Sequence, residues 1–186
     1  MANFTRNAIK SSFLKLLNDR PLSQITVKDI VSDCGINRNT FYYYFEDIPK
    51  LIEEIVVDDA ERIIREFPSI VLLEDCLHAM VDFSLKHKRA VLHIYNSVNR
   101  ALYEQYLWKI CEHTVKTYAE TALHGRKINE ADEQILIQYY GCVLFGVVSG
   151  WLHKGMNEDI RQTFKRIFEL QKGTIEEMLR RCEEAE

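Results

Sequence analysis

A chain of 186 residues, 47% hydrophobic and 28% charged, has the make-up of a folded globular protein, which excludes a disordered or low-complexity chain. Its formal net charge of −4 excludes bulk electrostatic wrapping of nucleic acid. The charge is uneven: up to residue 50, seven basic residues stand against five acidic ones, a net +2 that leaves −6 for the remainder and suits a local phosphate contact at the head of the chain.

Three prolines and seven glycines leave room for long helices. The five cysteines (Cys34, Cys76, Cys111, Cys142 and Cys182) are scattered and never form a C-x-x-C pair. That spacing predicts reduced, mostly buried thiols in a cytoplasmic protein, not a disulfide framework or a zinc site. The N-terminal residues lack a signal peptide's apolar stretch, and no uninterrupted apolar run reaches the ~20 residues of a membrane span, so no membrane partner is expected.

The apolar spacing is helical throughout, with no alternating strand pattern. A first helix is predicted over about Thr5 to Asn18, burying Ile9, Phe13, Leu16 and Leu17, and stopped by Asn18-Asp19-Arg20-Pro21. The second opens on Thr26 as N-cap, with Asp29 as capping-box partner and Ile25 and Ile30 as a staple. Its buried face is Val27, Ile30, Val31 and Cys34, and Gly35 ends it in a left-handed conformation. Asn37 caps a third helix at once, with Ile36 and Phe41 as a second staple. Two short capped helices around a glycine-containing turn make a helix-turn-helix. A fourth helix runs from Asp47 to about Glu66, with Pro49 in its first turn where proline is tolerated. Five more are predicted over Val71–Lys86, Arg89–Tyr95, Val98–Leu123, Glu130–His153 and Glu158–Arg181, with Asn129 and Asn157 capping the last two. The fold expected is all-α with about nine helices: a three-helix reader over residues 1–50 and a helical regulatory and dimerisation domain over 51–186.

The third helix carries the chemistry. Phe41 and Phe45, four apart, share its buried face, so Tyr43 points outward and Tyr42 and Tyr44 flank it. Arg38 and Asn39 in the first turn could read guanine and adenine edges in a major groove. The hydroxyls of Thr40, Tyr42 and Tyr44 suit phosphate oxygens. Thr26 and Lys28 at the start of the second helix, and Lys50 opening the fourth, could hold flanking phosphates. A tyrosine run alone would serve a protein interface as well; the two capped helices around it favour the groove.

The order Thr26-Val27-Lys28-Asp29-Ile30, then Cys34-Gly35-Ile36-Asn37-Arg38-Asn39-Thr40-Phe41-Tyr42-Tyr43-Tyr44-Phe45, resembles the DNA reader of the TetR family of regulators over about Thr5 to Ile55. The resemblance implies an all-helical homodimer that usually represses transcription from double-stranded DNA and is released by a small-molecule effector. It implies phosphate contacts at Thr26, Thr40, Tyr42 and Tyr44, and groove-facing places for Arg38, Asn39 and Tyr43. One departure is Ile48, where the family often carries lysine; Lys50 is the available substitute. Trp151-Leu152-His153-Lys154-Gly155-Met156 is similar to the branch that includes regulators associated with dihydroxyacetone kinase, some of them co-activators, which leaves the sign of regulation open.

In the body, Gly141, Gly146 and Gly150 interrupt one predicted helix at a cost of about 1 kcal/mol each relative to alanine. Close approach of a second copy would offset that, with Gly146, Gly150, Trp151, Phe164 and Phe168 as the expected dimer surface. Intramolecular packing or admission of a ligand are the alternatives. His93, Tyr95, Tyr103, Trp108, His113 and Tyr140 are candidates to line an effector pocket, although for any one of them an ordinary buried aromatic or satisfied histidine is the stronger reading.

An enzyme finds no support: the six histidines form no H-E-x-x-H pattern, and no phosphate loop or nucleophile motif occurs, so no catalytic residue, cofactor or metal is assigned. The competing reading is a helical co-activator or protein-interaction module with little intrinsic DNA binding. Ile48 and the acidic pair Glu46-Asp47 beside the reader keep it open.

Overall fold

A computed structural model describes residues 2–184. Among them are ten α-helices and two single 3-10 turns, with no strand. The helices are α1 (Ala2–Asp19), α2 (Val27–Cys34), α3 (Arg38–Tyr44), α4 (Ile48–Glu66), α5 (Leu73–Lys86), α6 (Lys88–Tyr95), α7 (Arg100–Ala122), α8 (Glu130–His153), α9 (Ile160–Gln171) and α10 (Thr174–Glu184).

The chain packs as two compact units. The first takes the chain to Glu61 together with Ser84–Tyr106; the second takes Arg62–Phe83 and the chain from Leu107 onward. Packing therefore groups more than the first fifty residues around the reader. The reason is its core. Ile9, Phe13 and Leu17, spaced by four on α1, are buried with Ile30, Val31, Phe41, Phe45, Leu51 and Ile52 from α2 to α4. Ala90 of α6 and Tyr103 and Tyr106 of α7 complete the same cluster. Burying one Phe or Leu side chain contributes about 1.5–3 kcal/mol, so three short helices gain substantially from the later ones. Ion pairs fasten the rim: Arg6 pairs with Glu54, while Lys10 reaches Glu54 at 2.7 Å and Asp58 at 2.6 Å. Lys15 meets Asp33 at 2.6 Å, and the buried Ser12 hydroxyl donates to the Ile30 carbonyl at 3.2 Å.

In the second unit, Ile63, Ile64, Cys76 and Tyr118 form a buried cluster with Phe67, Leu73, Met80 and Phe83 against it. The Tyr118 hydroxyl donates to the Phe67 carbonyl at 2.7 Å, satisfying the backbone where α4 ends. Burial and the neighbouring Cys76 push this phenol above its ordinary range. All five cysteines are free thiols: Cys76 and Cys111 are buried, Cys34 and Cys182 half-buried, and Cys142 exposed.

Two predicted details change. The single last helix expected over Glu158–Arg181 is two helices, because Gly173 takes φ +84°, a left-handed conformation that ends α9 and restarts the chain as α10. Asn157 does not cap it. Asp159 does, accepting from the Arg161 N–H, while Asn157 donates to the Lys154 carbonyl. Asn129 caps α8 as expected. At the end of α8, Met156 N–H returns to the Trp151 carbonyl and Gly155 N–H to that of Leu152, the two bonds of a Schellman stop. The Trp151 indole donates to the Glu158 carbonyl at 2.8 Å, closing the loop.

Candidate nucleic-acid interface

The turn between α2 and α3 is built by local chemistry. Thr26 caps α2 in a complete capping box: its hydroxyl accepts from the Asp29 N–H, and the Asp29 carboxylate accepts from the Thr26 N–H at 2.9 Å. The same carboxylate takes the Thr26 hydroxyl proton at 2.5 Å, and Arg20 stands 3.1 Å away. Those Thr26 hydrogen bonds, helped by Arg20, hold the Asp29 carboxyl down at about 2. Gly35 ends α2 at φ +69°, which a side chain rarely adopts. Asn37 then caps α3, accepting from the Thr40 N–H at 2.8 Å and the Thr40 hydroxyl at 3.0 Å.

These caps fix the orientation of α3. Phe41 and Phe45 are buried beneath it, their rings 5.8 Å apart. Arg38 and Asn39 are exposed, Tyr42 is 55% exposed and Tyr43 81%, while Thr40 and Tyr44 are half-buried. Tyr43 and Tyr44 meet edge to face at 5.0 Å. The result is an outward ridge of guanidinium, amide and phenol groups on a helix narrow enough for the ~12 Å major groove.

Which groups are available is visible only in three dimensions. The hydroxyl protons of Thr26 and Thr40 are committed to their caps, and the basic residues of α1 are tied to acids of α2 and α4. Lys28 and Arg38 have no acidic partner among the described residues. Lys50 does: Glu53 lies 2.6 Å away, and that hydrogen bond raises the lysine above its ordinary range. A phosphate would have to exchange with Glu53, and a solvent-screened surface pair of this kind is weak enough to exchange. Ile48 is half-buried against the reader's core, so its side chain packs where the family's lysine would reach outward. Asp47 accepts from the Lys50 N–H at 2.7 Å, turning its charge onto the start of α4.

Comparison with known proteins finds matches to two segments of the chain. A family model described as bacterial regulatory proteins, tetR family, matches residues 14–55, and a second, described as transcriptional regulator C-terminal region, matches residues 73–173, more than half of the chain. This chain belongs to the TetR family. It is similar to the HTH-type transcriptional regulator YxbF of Bacillus subtilis, 31% identical over 85 residues, which cover 46% of this chain and 21% of that protein. It also resembles the HTH-type transcriptional regulator EthR of Mycobacterium tuberculosis, 50% identical over 38 residues, 20% of this chain and 18% of that one. The matched segments thus span about a fifth of the length of these curated relatives. Among solved structures, the dihydroxyacetone kinase operon activator DhaS shares the fold, with a TM-score of 0.72 over 92% of this chain and 96% of that one, at 17% identity.

The remaining predicted residues fall in different places. His93, Tyr95 and Tyr103 belong to the first unit: the imidazole bonds the Leu17 carbonyl, Tyr95 is buried under the Arg100 guanidinium, and Tyr103 is core. Burial, with Tyr106 beside it, pushes the Tyr103 phenol up to about 12. Trp108 packs edge-on against Phe145, and His113 is exposed. Tyr140 alone of the six lines a cavity of about 150 Å³ in the second unit. The walls that sequence reasoning missed are aliphatic and lie far apart in the chain, such as Leu77, Leu136 and Leu179. Of the expected dimer residues, Gly146 and Gly150 are exposed on α8, Trp151 and Phe164 are buried within the unit, and Phe168 is half-buried on the cavity wall.

Proposed function

We propose that this TetR-family chain is a ligand-responsive regulator, a cytoplasmic homodimer that reads an approximately palindromic operator and represses transcription from it. Residues 1–50 act as the reader and 51–186 as the sensing and dimerising part. One observation carries the reading: Arg38, Asn39, Tyr42 and Tyr43 stand exposed together on a helix whose caps and buried phenylalanines fix its direction. Arg38 and Asn39 then read base edges, and the phenols together with Lys28 grip phosphates.

The dimer is supported by α8. This helix is long and apolar enough to cross a membrane by length and composition, yet 22% of its most apolar stretch is buried. Ile135, Tyr139, Cys142, Gly146 and Gly150 form an exposed stripe along one side. A second copy packed there would cover the apolar surface, and a two-fold pair of readers would meet successive major grooves, which repeat roughly every 34–36 Å. A ligand that prefers a different reader spacing releases DNA by its differential affinity.

Selection of bound sequences from random DNA by the purified protein tests this. The expected outcome is an enriched two-fold motif; a folded dimer that enriches none would overturn the reading. The second reading, a co-activator with little DNA binding of its own, is favoured by Ile48 packed against the core and Lys50 on Glu53, and the name of the solved activator points the same way. A reporter driven by the selected motif separates them: repression that a null strain lifts supports the first.

A further inference from the structure

We propose that the cavity of the second unit takes an uncharged, mainly apolar small molecule whose single hydrogen-bond acceptor, a carbonyl or ether oxygen, sits on the Tyr140 hydroxyl. The inference rests on reading this unit as the sensing part of the regulator. The cavity is drawn from α5, α7, α8, α9 and α10, and no Asp, Glu, Lys, Arg or His is among the residues that line it. A carboxylate or phosphate placed there would lose its hydration with no counter-charge, a cost of several kcal/mol. Size agrees with a modest apolar group: the cavity has about 150 Å³ of space behind aliphatic and aromatic walls, and an apolar cavity of that size accepts a molecule such as benzene.

Gln171, at the C-terminal end of α9, brings an amide to the rim of the wall, and the three hydroxyls on the wall narrow the chemistry further. The Thr114 hydroxyl donates to the Ile110 carbonyl at 2.8 Å, and the Tyr118 hydroxyl to Phe67 at 2.7 Å, so both protons are held by backbone. The Tyr140 hydroxyl instead points at the Met178 sulfur, 3.6 Å away. A thioether is a weak acceptor, so a ligand oxygen replaces it at a net gain. Burial raises the Tyr140 phenol, which keeps it a neutral donor. Tyr140 is on α8 and Met178 on α10; a ligand that takes the hydroxyl also removes that contact between α8 and α10.

The test is isothermal titration of the full-length, DNA-free protein with three probes of similar shape: acetophenone, ethylbenzene and benzoate. Acetophenone is expected to bind about five- to tenfold more tightly than ethylbenzene, the gain of one net hydrogen bond, and benzoate not at all. Tyr140→Phe should bring acetophenone to the level of ethylbenzene and leave ethylbenzene unchanged. Ala119→Phe, which fills the cavity from α7, should abolish both while circular dichroism reports a folded chain. Benzoate binding equal to acetophenone, no binding of either neutral probe, or undiminished binding by folded Ala119→Phe would each overturn the proposal. Because the readout contains no DNA, such a failure stands apart from a failure to select an operator.

Discussion

The Nδ1 of His93 on α6 lies 2.8 Å from the main-chain carbonyl oxygen of Leu17 at the end of α1. A carbonyl only accepts, so this nitrogen carries the proton and the imidazole is a strut within the first unit. Leu17 is itself fully buried in the reader's core. His93→Ala therefore lowers the stability of the first unit by about 1–2 kcal/mol, the loss of one half-buried hydrogen bond and its packing. Thermal melting followed by far-ultraviolet circular dichroism measures the loss. Titration of the α8–α10 cavity with ethylbenzene should be unchanged; a parallel loss there would mean that His93 supports more than the reader.

The Thr26–Asp29 box makes the reader sensitive to acid. The carboxyl is held at about 2 in the folded chain against an ordinary value of 3.8. Its contribution is complete above pH ~4 and disappears as the pH falls towards 2. Wild type should therefore melt above Asp29→Asn by a constant margin from pH 5 to 7, and the margin should close below pH 4. A margin that persists at pH 2.5 would show that the amide lacks something other than charge.

How much of this was legible in the chain depends on distance along it. The caps at Thr26, Asn37 and Asn129 and the stop at Gly35 rest on residues three or four apart, so the sequence displays them directly. The outward direction of Tyr43 follows from Phe41 and Phe45 in the same way. The break at Gly173 was hidden because apolar spacing continues through it from Phe168 to Leu179. The cavity was hidden for another reason: chemistry suggested tyrosine, tryptophan and imidazole groups, whereas its walls are mainly aliphatic side chains from five helices, and of the six candidates Tyr140 alone is among them. The pairing of Lys50 with Glu53, three apart on a predicted helix, was open to the same local reading.

Arg38 and Tyr42 should fail differently. Arg38→Ala is expected to cost about 1–3 kcal/mol on the selected operator and to relax preference at one base pair in each half-site. Tyr42→Phe removes the hydroxyl proposed to grip the sugar-phosphate backbone, so it should weaken operator and unrelated DNA by the same factor. Competition binding across single-base operator variants distinguishes the two. Equal loss on every sequence with Arg38→Ala would assign the guanidinium to a phosphate.

The pairing of Lys50 with Glu53 makes DNA affinity open to improvement. Glu53→Gln frees the ammonium for a phosphate, and the operator should then bind more tightly at low salt, with a dependence on salt concentration steeper by about one counterion per reader. Lys28→Ala should make the slope shallower by a similar amount. Fluorescence anisotropy over 50–300 mM salt reads both. An unchanged slope in Glu53→Gln would mean that Lys50 stays clear of the duplex even when released.

On α8, a Cβ added at Gly146 or Gly150 meets nothing within 4 Å in the same protomer. Alanine at either place would favour an isolated helix by about 1 kcal/mol, so the protomer alone gives no reason for these glycines. A second helix lying against the stripe from Ile135 to Gly150 does give one, since a side chain at Gly146 would hold it away. Gly146→Leu is expected to leave the protomer folded, to shift the sedimentation coefficient to that of a monomer and to abolish binding to the two-fold operator. Gly141→Ala is the control, because its Cβ would meet only the Trp108 ring at 3.7 Å and the Glu112 backbone at 3.9 Å inside the same unit. It should remain a dimer. If Gly146→Leu sediments as a dimer of undiminished stability, two copies meet on some other face, and the exposed stripe of α8 needs a different partner.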